Sequence, residues 1–393
     1  MKVCFVTTSF PRWVGDGQGA FIWEAARSIA DQGVQVCVIA MHSPGAKTHE
    51  WMDRVKVLRP RYWWPEKWEL LRKEGAAGLP ATWQKYPLAR LQILPFIFVQ
   101  TFIIARIARY FDLIHAHWTL SAANACLGRW FHRRPILLTL QGSDVFRVIK
   151  HPIGAWLTKM VLSCSNGITA LSESLVKAVS SIGFPPTKIR IIPNGVNTSF
   201  FVPPITDCRE NIILYVGSFI ERKGINYLFH AMAYVIHKLP QFRLVLIGEG
   251  PEAPKLKQLA DNLGITEKLV FLGFQPQEKV RDWMQRAKLL VLPSIEEAQG
   301  VVILEAMACG TPVVASKVGG IPEMVTPEAG VLVPPGDVKA LAAAIESVLQ
   351  DPSQWSSMSR CARHLVEKHY DWNCIAKQYI EMYKSLINRN DKI

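Results

Sequence analysis

The sequence predicts an α/β protein made of two doubly wound, Rossmann-like domains. Short β-rich runs alternate with helical stretches, and this alternation is typical of parallel sheets built from βαβ units. The alternation occurs twice within 393 residues, a length that suits two or three domains. Between the two series lies a join at residues 197–210 that contains Pro203 and Pro204 and precedes a fresh strand. We therefore place the first domain at residues 1–200 and the second at residues 201–371.

The strands of both domains are predicted from short apolar runs. Several of these runs are apolar nearly throughout, as expected for strands that are buried on both faces. In the first domain they lie at residues 2–8, 34–40, 112–118, 135–140, 168–171 and 188–192. In the second they lie at residues 212–216, 242–247, 269–272, 289–292, 312–315 and 331–333, with helices at 225–239, 254–263 and 277–287. Ligands of open parallel sheets bind at the carboxyl ends of the strands, so we expect the active site in a cleft between the domains.

The net charge of +13 is confined to the first half of the chain. Residues 1–190 carry 24 basic and 11 acidic side chains, whereas residues 191–393 carry 21 of each. This asymmetry counts against a uniformly basic coat of the histone kind. It indicates instead that the first half meets an anionic partner.

The cysteines and the apolar segments predict a cytoplasmic protein. The eight cysteines are scattered singly and several lie in apolar runs, which indicates a reducing compartment and neither a disulfide framework nor a zinc site. The first residues show no pattern of a secretory signal. The most apolar window, residues 93–105, is 13 residues long and falls short of the ~20 that a spanning helix needs. We expect a soluble protein that can attach to a membrane surface.

The strongest local motif lies at residues 289–320. It predicts a strand, a loop over 293–299, a helix from about residue 300 to Cys309, and a second strand. The backbone N–H groups of Gly300, Val301 and Val302 would lie at the helix N-terminus, which suits an anion such as phosphate. Glu305 lies inside the apolar helix, where a carboxylate is costly to bury without partners. Ribose hydroxyls would supply such partners, and a Lys or Arg or a neighbouring turn is the alternative.

Glu297 and Glu305 fit the E-x7-E pattern of the family 4 retaining glycosyltransferases, which have the GT-B fold. The segment LEAMACGTPVVAS that includes Glu305 is similar nearly residue for residue. The resemblance extends over almost the whole chain through LTLQGSDV (138–145), IIPNGVN (191–197), VGSFIERKG (216–224) and VGGIPEMV (318–325). It implies two Rossmann-like domains that face each other across a cleft, with the C-terminal helix at about 372–393 packing back on the first domain.

The resemblance also implies roles for individual residues in donor binding. Glu297 would contact the hydroxyls of the donor sugar, and Glu305 would hold the ribose. Backbone groups from Gly300 to Val302 would contact the sugar and the diphosphate. Lys223 would neutralise the diphosphate, because departure of the leaving group builds negative charge. Backbone groups at Gly273 and Phe274 would hold the base, and Gly19 in the first domain would allow close approach to the phosphate.

The sequence departs from the family pattern at three places. Ser218 stands where an Arg is common, so we assign the phosphate role to Arg222 or Lys223 and favour Lys223. Gln141 stands where a His is common, and its amide can hydrogen-bond but cannot take a proton. The loop usually written E-G-F-G reads Glu297-Ala298-Gln299-Gly300, so the surroundings of the donor sugar are expected to differ.

Two histidines and one aspartate in the first domain are further candidates. His115 and His117 lie on the same face of a strand, but there is no evident third ligand and no D-x-D pair, so we predict no metal. The resemblance makes His117 a contact to the reacting sugar, and a plain core or capping histidine is the alternative. Asp144 follows a strand in a turn, where it would orient an acceptor hydroxyl or cap the next helix.

Residues 47–109 combine 12 basic and five acidic side chains with Trp51, Trp63, Trp64, Trp68 and Trp83. Such a pattern suits a nucleic acid or an anionic membrane surface. No nucleic-acid module accompanies it, so we predict no nucleic-acid partner. Our hypothesis is a glycan or glycolipid acceptor at a membrane that docks through this segment. The alternative is that the tryptophans are core residues and the charges are solvated.

The sequence as a whole predicts a metal-independent, retaining hexosyltransferase at the inner face of the cell membrane that works in polysaccharide biosynthesis. Its co-substrate would be a UDP- or GDP-linked sugar, with no separate cofactor, and its acceptor a lipid-linked or cell-surface glycan. Two alternatives stay open: a nucleotide-sugar epimerase on the same fold, and a catalytically silent homologue that acts as a binding partner. A dinucleotide enzyme is disfavoured because Gly15, Gly17 and Gly19 have the wrong spacing for G-x-G-x-x-G.

Overall fold

The computed structural model describes residues 1–72, 82, 85–206 and 209–390, and of residues 143 and 144 it describes the backbone alone. The chain divides into two compact units. The first comprises Met1–Pro193 and Asn373–Ile393, and the second comprises Asn194–Trp372. Each unit is an α/β domain with its own sheet, which confirms the predicted fold class.

The first unit is built on an eight-stranded sheet in the order β3-β4-β2-β1-β5-β6-β7-β8. All neighbouring strands are parallel except β3 and β4. The strands are β1 (Lys2–Thr7), β2 (Gln35–Ala40), β3 (His49–Met52), β4 (Val55–Leu58), β5 (Leu113–His117), β6 (Ile136–Leu140), β7 (Gly167–Ala170) and β8 (Ile189–Ile191). The six predicted strands are confirmed, and the β3–β4 hairpin at the sheet edge was not predicted.

The helices of the first unit cover the sheet through apolar faces. In α1 the buried residues Ile22, Ala25, Ala26 and Ile29 follow the i, i+3, i+4, i+7 spacing of an amphipathic helix. The helices are α1 (Ala20–Asp31), α2 (Ile93–Ile107), α3 (Thr119–Leu127), α4 (Arg129–His132), α5 (Ser143–Phe146), α6 (Pro152–Cys164) and α7 (Glu173–Ser180).

One helical run in the described part of the chain, Pro87–Tyr110, is long and apolar enough by length and composition to cross a membrane. It joins α2 to 3₁₀ turns at Pro87–Gln92 and Ala108–Tyr110. The expectation that this segment is too short is therefore wrong. Pro95 lies in the first turn of α2, where proline is tolerated, and Gln100 is buried, so neither residue interrupts the run.

The second unit is built on a six-stranded, fully parallel sheet in the order β11-β10-β9-β12-β13-β14. Its six predicted strands are confirmed. The strands are β9 (Glu210–Val216), β10 (Arg243–Ile247), β11 (Leu269–Phe271), β12 (Ala287–Leu292), β13 (Val313–Ser316) and β14 (Gly330–Val333). The helices are α8 (Ile225–Lys238), α9 (Ala253–Asn262), α10 (Gln277–Arg286), α11 (Val301–Ala308), α12 (Ile321–Met324), α13 (Val338–Gln350) and α14 (Pro352–His369).

The last helix, α15 (Trp372–Asn390), packs on the first unit. Tyr379 and Tyr383 are buried beside His115 of β5, and the Gln32 amide at the end of α1 donates to the carbonyl of Asn373 at 3.0 Å. The prediction that the C-terminal helix returns to the first domain is confirmed.

The strand orders locate the place in each unit where a ligand is expected. In the first sheet the chain runs outward in opposite directions from β1 and β5, and in the second from β9 and β12. The place between two neighbouring strands from which the chain runs in opposite directions is the switch point of the sheet. Ligands of open α/β sheets bind at the carboxyl ends of the strands that flank it. The loops after these four strands therefore form the candidate functional regions.

Candidate active site

The switch point of the second unit carries an ion pair between its two loops. The Nζ atom of Lys223, after β9, contacts Oε2 of Glu297, after β12. Only 16% of the Lys223 side chain and 11% of the Glu297 side chain are exposed. The Ser294 hydroxyl donates to the same carboxylate oxygen at 3.4 Å. The structure thus brings together two predicted site residues that are 74 positions apart in the sequence.

Backbone contacts hold these two loops against each other. The N–H of Ile295 donates to the carbonyl of Arg222 at 2.8 Å. Gly224 has a φ of +65° and lies so close to Pro293 that an added Cβ would be 2.1 Å from the Pro293 carbonyl oxygen. Glycine is therefore required here by both its conformation and its small size. Arg222 itself reaches Glu296 at 4.0 Å, and both side chains are about one-third exposed. Lys223 is thus the more enclosed of the two candidate cations.

The N-terminus of α11 lies next to this ion pair. Gly300 caps the helix in the left-handed conformation, with a φ of +87°. A Cβ added at Gly300 would lie 3.4 Å from the Cγ atom of Glu297. The N–H groups of Val301 and Val302 belong to the first turn, where no intrahelical acceptor exists. They give the site a partial positive charge beside Lys223. These two features can together hold a diphosphate.

Glu305 lies one turn further along α11. Its neighbours Leu304 and Ala306 are buried, whereas Glu305 is half-buried and lies on the more open face of the helix. Its charge adds to the effect of burial on Cys309, and the pKa of that thiol is raised to about 12. A carboxylate in this position can reach hydroxyl groups of a ligand without being fully desolvated.

Gln299 has a structural role that sequence reasoning missed. Its side chain is 2% exposed, accepts from the N–H of Asn194 at 2.8 Å and donates to the carbonyl of Asn194 at 2.9 Å. The two hydrogen bonds tie the loop after β12 to the start of the second unit. The departure from the E-G-F-G pattern was the available signal, but its partner 105 residues away could not be read from the sequence.

Glu249, after β10, was also missed. Its Oε1 atom accepts from the N–H of Phe274 at 3.2 Å and lies 3.2 Å from the Cβ position of Gly273. Gly273 has a φ of +66°, and the Phe274 side chain is 63% exposed. Glu249 therefore uses the same backbone group that the family resemblance assigns to the base.

In the first unit, His117 ends β5 at the switch point and is 2% exposed. The Gln141 amide donates to its Nδ1 atom at 3.1 Å, which leaves the imidazole proton on Nε2. Nε2 has no hydrogen-bond partner within the described part of the chain. Burial lowers the pKa of His117 to about 3, so the ring is neutral at pH 7. The site thus offers a neutral, buried hydrogen-bond donor.

His115 lies behind His117, with the ring centroids 4.1 Å apart. Its Nδ1 atom is hydrogen-bonded to the Tyr383 hydroxyl and its Nε2 atom to the Thr139 hydroxyl, both at 2.7 Å. Both ring nitrogens are therefore occupied within the protein, and His115 is a support for His117 and no metal ligand in this arrangement. Among the described residues there is no group of three side chains that could hold a metal ion.

The residue after His117 adopts an uncommon backbone conformation. Trp118 has a φ of +68° and a ψ of 150°, which is rare for a residue with a Cβ and costs about 1–3 kcal/mol. It lies at the N-terminus of α3 and contacts Phe21 of α1 edge to face. Such strain is typical of functional sites, and the sequence carried no signal of it.

The roles of two further predicted residues and of the tryptophan-rich segment remain predictions. Gly19 caps α1 with a φ of +68°, and a Cβ there would be 2.8 Å from the Ser9 carbonyl, so close packing on the β1 loop already requires glycine. The side chain of Asp144 lies outside the described residues. The exposed tryptophans of the basic segment are Trp51, Trp64 and Trp68, whereas Trp63 is half-buried and Trp83 lies outside the described residues.

Comparison with protein families gives two matches that together span most of the chain. Residues 15–200 match Glycosyltransferase Family 4, and residues 200–365 match Glycosyl transferases group 1. An uncharacterized glycosyltransferase of Methanocaldococcus jannaschii is 31% identical over 295 residues, covering 70% of this chain and 75% of the relative. N-acetyl-alpha-D-glucosaminyl L-malate synthase of Bacillus anthracis is 29% identical over 294 residues, covering 72% of this chain and 76% of the relative.

Solved structures share the fold at lower identity. Sucrose-phosphate synthase from Thermosynechococcus elongatus superposes with a TM-score of 0.80 at 24% identity, covering 99% of this chain and 100% of that chain. Anabaena HepE in complex with UDP superposes with a TM-score of 0.75 at 20% identity, covering 98% and 100%. These likenesses establish the fold.

Proposed function

Because the chain belongs to the family 4 retaining glycosyltransferases of group 1, we propose that it moves a hexosyl residue from a nucleoside diphosphate sugar to a lipid-linked or cell-surface glycan acceptor. The observation that carries the proposal is the Lys223–Glu297 pair beside the N-terminus of α11. A cation and free N–H groups together suit a diphosphate, and an adjacent carboxylate suits sugar hydroxyls.

The proposed roles combine this geometry with the family resemblance. Lys223 stabilises the diphosphate as it leaves, and the N–H groups of Val301 and Val302 hold the same phosphates. Glu297 exchanges part of its contact with Lys223 for donor sugar hydroxyls. Glu305, on the open face of α11, holds the ribose.

The remaining candidate residues contact the base and the reacting sugar. The backbone at Gly273 and Phe274 contacts the base, with Glu249 as a neighbouring acceptor. His117, as a neutral group, donates a hydrogen bond from its Nε2–H to a sugar hydroxyl. Retention follows from attack on the same face. The acceptor oxygen bonds to the anomeric carbon as the carbon–oxygen bond to the diphosphate breaks, and a diphosphate oxygen takes the acceptor proton.

The donor base is proposed to be uracil or guanine. One solved HepE structure is a complex with UDP and another is a complex with UDP-glucose, which favours uracil for a protein of this fold. The acceptor class is proposed from the charge of the first half of the chain, which suits phosphate-bearing lipid carriers at the inner face of the cell membrane.

Thermal-shift titration with UDP, GDP, ADP and their sugars tests the donor assignment. A nucleotide at 100 times its dissociation constant stabilises the fold by about 2.7 kcal/mol. In Glu305→Ala we expect this stabilisation and turnover to be lost while the protein stays folded. Glu278→Ala, an exposed carboxylate of α10, is the matched control. Nucleotide binding by Glu305→Ala at wild-type strength would contradict the assignment. An epimeric sugar product formed without acceptor would favour the epimerase.

A further inference from the structure

The outer side of α2 presents large apolar side chains to solvent. Leu94, Phe98 and Phe102 form one stripe at i, i+4 and i+8, and their exposed fractions are 71%, 72% and 55%. Leu88 and Leu91 in the preceding turn are exposed as well. Single exposed apolar residues are ordinary, but a continuous stripe of this kind is typical of an interaction surface.

The opposite, buried stripe of α2 contains polar residues. Gln92, which precedes the helix, donates to the carbonyl of Trp68 at 2.6 Å, and Gln100 accepts from the Asn124 amide at 2.6 Å. Phe96 and Ile104 share this buried stripe with the bonded Gln100. Helix α2 is therefore apolar on both sides, whereas a helix on a soluble domain usually carries its apolar residues on one side. Burial within the first unit cannot explain the apolar character of the outer stripe.

Helix α6 also exposes an apolar stripe. Ile153, Trp156, Leu157 and Met160 follow the i, i+3, i+4, i+7 spacing that normally faces a core, yet all four are about half or more exposed. The buried positions of this helix are Thr158 and Leu162.

The short helix α4 connects these two surfaces. Gly128 caps α4 and packs against α2. A Cβ added at Gly128 would lie 3.5 Å from the Thr101 carbonyl oxygen of α2. Arg129 of α4 donates to the Cys164 carbonyl at the end of α6 at 2.6 Å. Within α4, the side chains of Trp130 and Phe131 are 88% and 74% exposed. We call the outer sides of α2, α4 and α6 together the apolar face.

The segment that forms the apolar face is strongly basic. Residues 87–164 carry nine Lys and Arg and only two acidic residues, Asp112 and Asp144. Arg106, Arg133 and Lys159 are exposed members of this group. We propose that the apolar face docks on an anionic lipid bilayer, with α2 and α6 lying in the plane of the membrane surface. Apolar burial and attraction to anionic headgroups add in this mode of binding.

The bonded amides on the buried side also argue that α2 lies on the membrane and does not span it. A spanning helix needs every polar side chain on its surface satisfied inside the bilayer. Here Gln92 and Gln100 are bonded to other parts of the first unit, and leaving those partners would expose both amides to lipid. A second copy is a poor occupant, because a two-fold contact would bring the basic segments of both copies together.

The inference extends the acceptor class of the proposed function, and its test does not require turnover. The purified protein is mixed with vesicles of phosphatidylcholine alone or of phosphatidylcholine and phosphatidylglycerol in equal parts, and bound protein is measured by co-sedimentation. The test variant is Phe98→Ser/Trp130→Ser/Trp156→Ser. The control is Ile205→Ser/Tyr234→Ser, two exposed apolar residues of the second unit. Nucleotide-dependent thermal shifts of each variant report separately on the donor site.

We expect wild type and control to bind the anionic vesicles and the triple variant to bind at least about tenfold more weakly, with the thermal shifts unchanged. Bound wild-type protein should also transfer to fresh vesicles, as a spanning protein would not. Failure of the wild type to bind, or equal binding by the triple variant, would overturn the proposal. A wild-type dimer that the triple variant converts to a monomer, without vesicle binding by either, would assign the face to a second copy.

Discussion

The two switch points of this molecule solve different chemical problems with different side chains. In the second unit, Lys223 and Glu297 form a charged pair beside a helix N-terminus. In the first unit, His117 is buried and neutral, with Gln141 fixing which nitrogen carries the proton. A cation suits a diphosphate whose charge grows during reaction, whereas a neutral donor suits a sugar hydroxyl whose charge does not change. The comparison teaches that net charge is not the relevant quantity, since the proposed anion site lies in the half of the chain whose net charge is zero.

The largest expected effect is at the charged switch point. We predict that Lys223→Ala lowers kcat/KM by about 10²–10³-fold, because removing one preorganised electrostatic contact to a leaving group typically costs this much. Steady-state kinetics with the identified donor measures the loss. Since Lys223→Ala leaves Glu297 without its cation, Lys223→Ala/Glu297→Gln shows whether the unpaired carboxylate contributes to the defect.

Arg222→Ala is the matched control for this prediction. Its guanidinium is about one-third exposed and only reaches Glu296 at 4.0 Å, so its loss should lower kcat/KM by no more than about tenfold. An Arg222→Ala defect as large as that of Lys223→Ala would move the phosphate role to the arginine.

The next effect concerns the close contact between the loops of the same switch point. We predict that Gly224→Ala lowers the free energy of unfolding by about 2–4 kcal/mol, because a Cβ at a φ of +65° is strained and also lies 2.1 Å from the Pro293 carbonyl oxygen. Gly264→Ala is an unusually close control, since Gly264 has the same φ of +65° and nothing within 4 Å of its Cβ position. It should lose only about 1–2 kcal/mol by urea denaturation, and equal losses would show that contact with Pro293 is unimportant.

The strands and the charged site residues could be predicted because their signals are local. Twelve strands follow from short apolar runs, and Glu297 and Lys223 from motifs next to strand ends. The β3–β4 hairpin escaped prediction because its four-residue strands lie at a sheet edge and carry charged and aromatic side chains. The apolar window at residues 93–105 was evident in the sequence, but which stripe of α2 faces solvent depends on partners such as Asn124.

The contacts that shape the site depend on residues far apart in the sequence. The pairs Gln299–Asn194 and Glu249–Phe274 are set by the order of strands in the sheet, which brings separate loops to one edge. A single sequence contains no signal for such pairs beyond the residue types themselves. Backbone strain at Trp118 is likewise a property of the folded chain.

A smaller effect is predicted at the loop after β12. Gln299→Ala should lower the free energy of unfolding by about 1–3 kcal/mol, because it leaves the buried N–H and carbonyl of Asn194 without their partners. Gln285→Ala, which frees only the carbonyl of Val202 at a half-buried position, should cost about 1 kcal/mol or less. Urea denaturation compares the two. If Gln299→Ala is as stable as Gln285→Ala, the side chain does not hold the loop.

The smallest predicted effect is on the pH dependence of stability, and it tests whether the His117 switch point is neutral. Burial holds the pKa of His117 near 3 in the folded protein, whereas an unfolded histidine titrates near 6.5. Between these values the unfolded state binds the extra proton, so stability is lost as the pH falls from 6.5 toward 3. His117→Gln cannot bind that proton, so its unfolding free energy should depend less on pH. Between pH 6 and pH 5 the difference in slope should be up to about 1.4 kcal/mol per pH unit. Equal slopes for the two proteins would mean that His117 titrates with an unshifted pKa in the folded protein, and the contrast between the two switch points would then disappear.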